Sequence, residues 1–151
     1  MRILSAFLGL AVVAGMIAQP TSAADMTDAA IQRRAHMEEF NAAMQTMGQQ
    51  IMGGKPDRAA VLEQAKAIHA LAVALPGWFP AGSGSDKVSD SQALPGIWQN
   101  PADFAAKDDA LVKASDDLVQ LADKGDMRQL MGKAMAVDGA CVACHRAYQK
   151  R

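Results

Sequence analysis

Two cysteines and a histidine lie together near the C-terminus, in the segment Cys141-Val142-Ala143-Cys144-His145. On a helix, residues three and four positions apart share one face, so both thiols and the imidazole would project in the same direction. C-x-x-C-H is the attachment motif of a c-type haem, in which two thioether bonds hold the porphyrin and the imidazole binds the iron. The segment therefore predicts one covalent haem c on Cys141 and Cys144, with His145 as an axial iron ligand.

Cysteines at this spacing also occur in other kinds of site. A redox-active or structural disulfide usually lies in a βαβ setting, which this sequence does not predict. A zinc site needs further ligands, commonly from a second pair of cysteines or histidines, and the chain has only two cysteines. A haem-free helical interaction protein with a disulfide is therefore the alternative from a different functional class.

The first 24 residues have the pattern of an export signal. Arg2 supplies a positive start, an uncharged apolar run covers residues 3–17, and small residues precede Asp25. This pattern predicts a cleaved signal peptide over 1–24 and one domain over 25–151, located in a bacterial periplasm. An uncleaved membrane anchor is the weaker alternative because the apolar run is short for a bilayer.

Composition and charge narrow the class of protein further. The formal net charge is −1 at pH 7, so the sequence shows no basic footprint for nucleic acid or for a lipid surface. Aromatic residues make up only 5% of the chain, and alanine, leucine, lysine and methionine are common. Such a composition favours helices over strands.

Apolar residues recur every three or four positions in four segments, and turn-forming residues separate these segments. The first predicted helix covers Thr27–Met52 and the second covers Asp57–Leu75. A long connection over 77–100 carries aromatic residues, so we expect an ordered crossover. The third helix is predicted to start at Pro101 with Asn100 as its N-cap and to end at Gly125, and Asp126 is predicted to cap the fourth. The fold class is therefore all-α, an antiparallel four-helix bundle.

A haem bound by one histidine has a second axial position, which determines its function. Methionine is a natural candidate because a thioether favours ferrous iron and raises the reduction potential. The chain has ten methionines, and most are expected to fill gaps in the core of the bundle. Spacing alone does not distinguish a ligand among them.

Nearly the whole chain beyond residue 24 resembles the class II c-type cytochromes, the cytochrome c′ family. A C-terminal haem motif combined with a Pro-x-Ile-Trp segment is much more specific than the motif alone. The matching features are Arg33 with Met37 four residues later, Gly54-Lys55-Pro56, Leu75-Pro76 with Phe79 beyond, Pro95-Gly96-Ile97-Trp98 followed by Phe104, and the haem motif with Tyr148 after it.

The resemblance implies a bundle with the haem near one end, and it places Met37 at the family's distal position. High-spin members carry a non-ligating apolar residue there, whereas low-spin members carry a ligating methionine, so His145/Met37 ligation is implied. Arg33, one turn earlier on the same helix face, is implied as a partner of a haem propionate or as a distal charge. The alternative for Arg33 is a solvated side chain whose stem covers the edge of the helix seam.

The proximal side departs from one pattern of the family. High-spin relatives commonly carry a basic residue four positions after the haem histidine, and this chain has Gln149 there. The proximal electrostatics of those relatives are therefore not expected here.

These observations predict a periplasmic electron carrier with a low-spin His/Met haem that exchanges electrons with redox partner proteins. The sequence shows neither a catalytic triad nor a pair of carboxylates that would indicate an enzyme. The alternative within the same family is a high-spin protein that binds nitric oxide or carbon monoxide at an open distal iron. A homodimer is a further expectation from the resemblance, because relatives often pair through their first two helices.

Overall fold

The computed structural model describes residues 23–151, so the predicted signal peptide falls almost entirely outside the described part of the chain. Over this range the chain forms five α-helices and two 3₁₀ turns, without a β-strand. The helices are α1 (Ala23–Met52), α2 (Arg58–Ala74), α3 (Gly96–Gln99), α4 (Pro101–Lys124) and α5 (Leu130–Tyr148), and the 3₁₀ turns are Leu75–Trp78 and Met127–Gln129.

The four long helices pack into a bundle, which confirms the predicted fold class. The most extensive contacts join α2 with α4 and α4 with α5, followed by α1 with α2. The first and last helices, α1 and α5, touch at only a few places. None of the helices in the described range is long and apolar enough to cross a membrane.

Each long helix contributes one row of apolar side chains to the core of the bundle. Met47 of α1, Ile68 of α2, Leu118 of α4 and Val137 of α5 are all completely buried. Each fully buried side chain of this size contributes about 1.5–3 kcal/mol relative to an exposed one. The three- and four-residue spacing read from the sequence therefore does mark the faces that meet.

The predicted helix boundaries are close to the observed ones, with some local differences. The first helix starts at Ala23 rather than Thr27, and Gly54 ends its turn with a φ of 71°. Asp57 caps α2 as its carboxylate accepts a hydrogen bond from the Ala60 amide at 2.8 Å. The second helix ends at Ala74, one residue before the predicted end, and Pro76 lies in the 3₁₀ turn that follows it.

Two predicted caps of α4 differ from what the structure shows. Asn100 occupies the N-cap position, but its side chain turns back to the Gly96 carbonyl at 3.4 Å and does not cap the helix. Gly125 ends the helix with a φ of −81°, outside the left-handed region, because the next turn begins immediately at Asp126. The Asp126 carboxylate accepts a hydrogen bond from the Arg128 amide at 3.0 Å, so it caps the 3₁₀ turn that leads into α5.

The connection between α2 and α4, residues 77–100, is ordered as predicted, and it is fastened at both ends. The Trp98 indole donates a hydrogen bond to the Phe79 carbonyl at 3.0 Å. The Leu94 amide donates to the Tyr148 carbonyl at 2.9 Å, which ties the crossover to the last turn of α5. The crossover therefore closes one end of the bundle beside the C-terminus of α5.

Candidate functional site

A cleft opens at that end of the bundle, between α1 and the last turns of α5, where the two helices have few contacts. Its empty space is about 600 Å³, the open mouth included. Met37 of α1 and His145 of α5 both line it, together with aromatic residues of the crossover and of α4. Two residues predicted as ligands from distant parts of the sequence thus face one cavity.

Cys141 and Cys144 lie one helical turn apart on α5, half-buried and packed against the core. They are not joined in a disulfide. Burial, with a smaller effect of Asp138, raises the pKa of the Cys141 thiol to about 11, and burial also raises the pKa of Cys144. Such surroundings disfavour a thiolate, which is the form that zinc binding or nucleophilic chemistry requires, whereas the uncharged sulfur of a thioether suits them.

His145 follows directly on the same helix and lies exposed at the cleft. The protein around it partly removes its imidazole from water and lowers its pKa. A lower pKa favours the neutral imidazole, which is the form that binds a metal. The two cysteines do not themselves line the cleft, but they lie within about one helical turn of His145, which does. The three residues and the cleft therefore fit a covalently attached haem.

Met37 is half-buried on α1 and packs against the core cluster. The other two histidines do not line the cleft. His36 stacks on Trp78 with the ring centroids 4.4 Å apart, and His69 forms a hydrogen bond of 3.0 Å with Ser115. Among the described residues, Met37 is therefore the side chain with a soft donor atom that faces the same cleft as His145.

Arg33 also lines the cleft, yet its guanidinium is buried and directed at the crossover. Nη1 donates to the Trp78 carbonyl at 3.0 Å and to Ser83 Oγ at 2.9 Å, and Nη2 donates to the Ser83 carbonyl and Ser91 Oγ, both at 2.9 Å. The cation lies 4.8 Å from the centroid of the Phe79 ring. The alternative of a solvated arginine is therefore wrong, and contact with a propionate stays a prediction.

No carboxylate in the described range pairs with this buried cation, and burial lowers its pKa. Buried charges usually have a counter-charge or several strong hydrogen bonds. Here the four hydrogen bonds fasten α1 to the crossover one turn before Met37. Arg33 thus holds the crossover, which forms part of the wall of the cleft, against α1.

We expect Arg33→Lys to lower the free energy of unfolding by about 3 kcal/mol, because a lysine cannot make this set of hydrogen bonds to groups that would stay buried. Chemical denaturation of the holoprotein measures the loss. Arg34→Lys is the matched control, since exposed Arg34 makes one hydrogen bond of 2.8 Å to the Asp90 carbonyl of the same crossover. Equal effects of the two substitutions would contradict the role of Arg33.

Tyr148 is a second residue whose role the sequence does not reveal. Its buried ring packs edge-on against Phe104, with the centroids 5.6 Å apart, and lines the cleft. Its hydroxyl donates a hydrogen bond of 2.5 Å to Asp103, which lowers the pKa of that carboxyl. The bond fixes the last turn of α5, which carries His145, against the start of α4.

We expect Tyr148, the only tyrosine in the chain, to deprotonate near pH 12 rather than near 10, its ordinary value, because its proton is held by Asp103. While the Asp103 carboxyl is ionised, the bond stabilises the fold fully up to pH 10, and this contribution is lost as the pH rises through about 12. Carbon-13 NMR of the labelled tyrosine ring measures the midpoint. Asp103→Asn should return it towards 10, and an unchanged midpoint would refute the assignment.

Gln149 occupies the proximal position where high-spin relatives are expected to carry a basic residue. Its side-chain amide donates to Gln92 Oε1 at 3.0 Å, so it is turned towards the crossover. Its backbone forms an isolated antiparallel bridge with Ala93. In this chain Gln149 holds the C-terminal end against the crossover, and its side chain adds no charge.

Comparisons with known proteins give a consistent picture. The family model described as cytochrome C′ matches residues 28–149. Cytochrome c-554 of Cereibacter sphaeroides is 37% identical over half of this chain, and the match spans about half (49%) of that relative's length.

Solved structures share the fold along almost their whole length. Cytochrome c prime from Shewanella frigidimarina has a TM-score of 0.73 and 30% identity, covering 86% of this chain and 98% of that one. A variant of cytochrome c prime from Alcaligenes xylosoxidans, in complex with nitric oxide, has a TM-score of 0.75 and 26% identity, covering 83% and 97%.

Proposed function

The chain belongs to the cytochrome c′ family, whose members carry one covalently bound haem c, and we propose that it is a periplasmic electron carrier with its iron ligated by His145 and Met37. The observation that carries this proposal is that Met37 lines the same cleft as His145. Export and an exchange of electrons with redox partner proteins are parts of the same proposal.

The residues of the cleft have separate roles in this proposal. Cys141 and Cys144 would hold the porphyrin by thioether bonds, and His145 would bind the iron through a neutral imidazole. The haem supplies the one-electron chemistry when bound. The Met37 thioether would fill the second axial position and favour the ferrous state, which raises the reduction potential.

The aromatic side chains at the end of the bundle support the same function by excluding water. Phe79 lies edge-on to Phe104, with the ring centroids 5.1 Å apart, and Phe104 lies in turn against Tyr148. All three line the cleft. An apolar wall of this kind lowers the local dielectric constant, which is one determinant of a haem's potential.

The second candidate function is binding of nitric oxide or carbon monoxide at an open distal iron. The comparisons by themselves favour it over electron transfer, since four of the relatives and the similar solved structures are described as cytochromes c′, one of them as a nitric oxide complex. It would require Met37 to pack in the cleft without binding iron. Gln149, in place of a basic proximal residue, is a point in which this chain departs from the high-spin pattern.

Addition of carbon monoxide to the ferrous holoprotein tests the proposal. If Met37 ligates the iron, the absorption spectrum should change little at gas concentrations that saturate an open haem. A full spectral change at low gas concentration would support the gas-binding function and contradict the proposed one. Reversible voltammetry of the same sample measures the electron exchange directly.

Three expectations about the whole protein stay predictions. The cleaved signal peptide over 1–24 concerns residues that lie almost entirely outside the described range. The homodimer and the absence of enzymatic activity also await experiments on the purified protein.

A further inference from the structure

One carboxylate lies on the core-facing stripe of α4. Asp108 stands four residues after Phe104 and three before Leu111, and both of these neighbours are buried. The stripe then continues through Ser115 and Leu118, which are fully buried. A charged residue at such a position is unusual unless it is paired.

Asp108 has no such pairing. Its Oδ1 atom is buried and has no hydrogen-bond partner within the described part of the chain. A buried polar atom without a partner costs free energy, so its retention needs an explanation. The residue as a whole is half-buried, and protons can therefore reach its carboxyl group from solvent.

Two hydrogen bonds fix the antiparallel register of α4 and α5, one from Tyr148 to Asp103 and one from Lys133 to Asp117. This register places Asp108 beside the turn of α5 that carries Cys141 and Cys144. Cys144 would carry one of the two thioether bonds, so Asp108 would lie near the edge of the haem.

On its own helix Asp108 is flanked by Lys107 and Asp109, and Lys107 is engaged with Asp103 at 3.5 Å. The last titratable side chain of α2 is His69, which bonds to Ser115 two turns beyond Asp108, and residues 70–74 of α2 contain none. The described residues thus give Asp108 no ion pair, and the haem would be the charged group beside it.

We propose that Asp108 is the residue that couples a proton to the electron carried by this protein. When a redox partner delivers one electron, the Asp108 carboxylate takes up one proton from solvent. When the electron leaves, the carboxyl group releases that proton. Charge near the cofactor is thereby balanced in both states.

The electrostatics of the site support this role. Burial, and the neighbouring charge of Asp109, raise the pKa of the Asp108 carboxyl above its ordinary value. Ferric iron carries one more positive charge than ferrous iron, so the pKa of Asp108 is lower in the oxidised protein. The reduction potential should therefore be high at acid pH. It should fall between the pKa that Asp108 has in the ferric protein and the higher pKa that it has in the ferrous protein, and it should level off above both.

The inference rests on the haem at Cys144, which the proposed function includes, and does not depend on ligation by Met37. A high-spin, gas-binding protein would have the same carboxyl group beside the same thioether. The spin state and the pH dependence of the potential can therefore fail independently of each other.

Redox titration of the holoprotein at a series of pH values tests the proposal. When the reduction potential of wild-type protein is plotted against pH, it should show one transition. The height of this transition is 59 mV for each tenfold difference between the acid constants of Asp108 in ferric and ferrous protein. Asp108→Asn should abolish this transition and hold the potential at or above the high, acid-side value of the wild type. Asp109→Asn should keep the transition but move it to lower pH, because it removes a charge that raises the pKa of Asp108.

Asp123→Asn is the matched control, since Asp123 lies exposed at the other end of the same helix and should leave the curve unchanged. A transition that persists in Asp108→Asn would overturn the proposal. Redox-difference infrared spectroscopy of wild-type protein with labelled aspartate avoids any folding defect of the variant. Absence of a protonated carboxyl signal that follows the redox state would overturn the proposal equally.

Discussion

The Met37→Ala protein is expected to have a high-spin ferric haem that readily admits carbon monoxide once reduced. Met37 faces the cleft opposite the element that carries His145, and alanine has neither a donor atom nor the length to reach across it. Loss of the thioether should remove its weak long-wavelength absorption band and lower the reduction potential, because a soft ligand of ferrous iron is gone. Absorption spectra of both redox states, with and without gas, measure the change.

Met44→Ala is the matched control for this experiment. Met44 lies two turns further along α1, is also half-buried against the core, and does not line the cleft. Its truncation should cost about 2–5 kcal/mol of stability at most and leave the spectrum unchanged. If Met37→Ala and wild-type protein have the same spectrum, Met37 does not bind the iron.

Replacing Cys141 and Cys144 together with serine is expected to abolish covalent haem attachment completely. Serine hydroxyls do not form the thioether bonds, and the two cysteines are the only ones in the chain. After denaturation and electrophoresis, haem staining should be lost from the polypeptide, and its mass should fall by one haem. We also expect a lower melting temperature, because the cleft loses its apolar filling.

Val142→Ala controls for disturbance of the helix, since Val142 lies between the two cysteines and is exposed. That variant should retain full staining. Haem that remains on the polypeptide of the double serine variant would contradict attachment at this motif.

The bundle could be predicted because each of its signals is local. Three- and four-residue spacing marks the faces of the long helices, and residues such as Gly54 and Asp57 interrupt them for reasons of backbone conformation and capping. The cysteine pair and His145 were recognisable for the same reason, since one helical turn holds all three. Met37 could be proposed as a ligand only through the resemblance to a family, because Met37 and His145 lie far apart in the sequence.

The remaining features depend on contacts between distant segments. Arg33 interrupts an apolar stripe in the sequence, but only the folded crossover supplies the acceptors that make its burial tolerable. Asn100 has the residue type of a good cap, yet the short helix α3 before it offers a competing acceptor. The partner of Tyr148, Asp103, lies 45 positions away. Asp108 likewise stands out only because the other stripe residues on α4 are buried.

Near-infrared magnetic circular dichroism of the ferric wild-type protein tests the central claim most directly, because its charge-transfer bands identify both axial ligands of a haem. We predict the spectrum of a low-spin haem with one imidazole and one thioether ligand, at neutral pH and without added reagents. A high-spin spectrum, with no band from a thioether, would contradict ligation by Met37 and would leave gas binding as the function of the cleft.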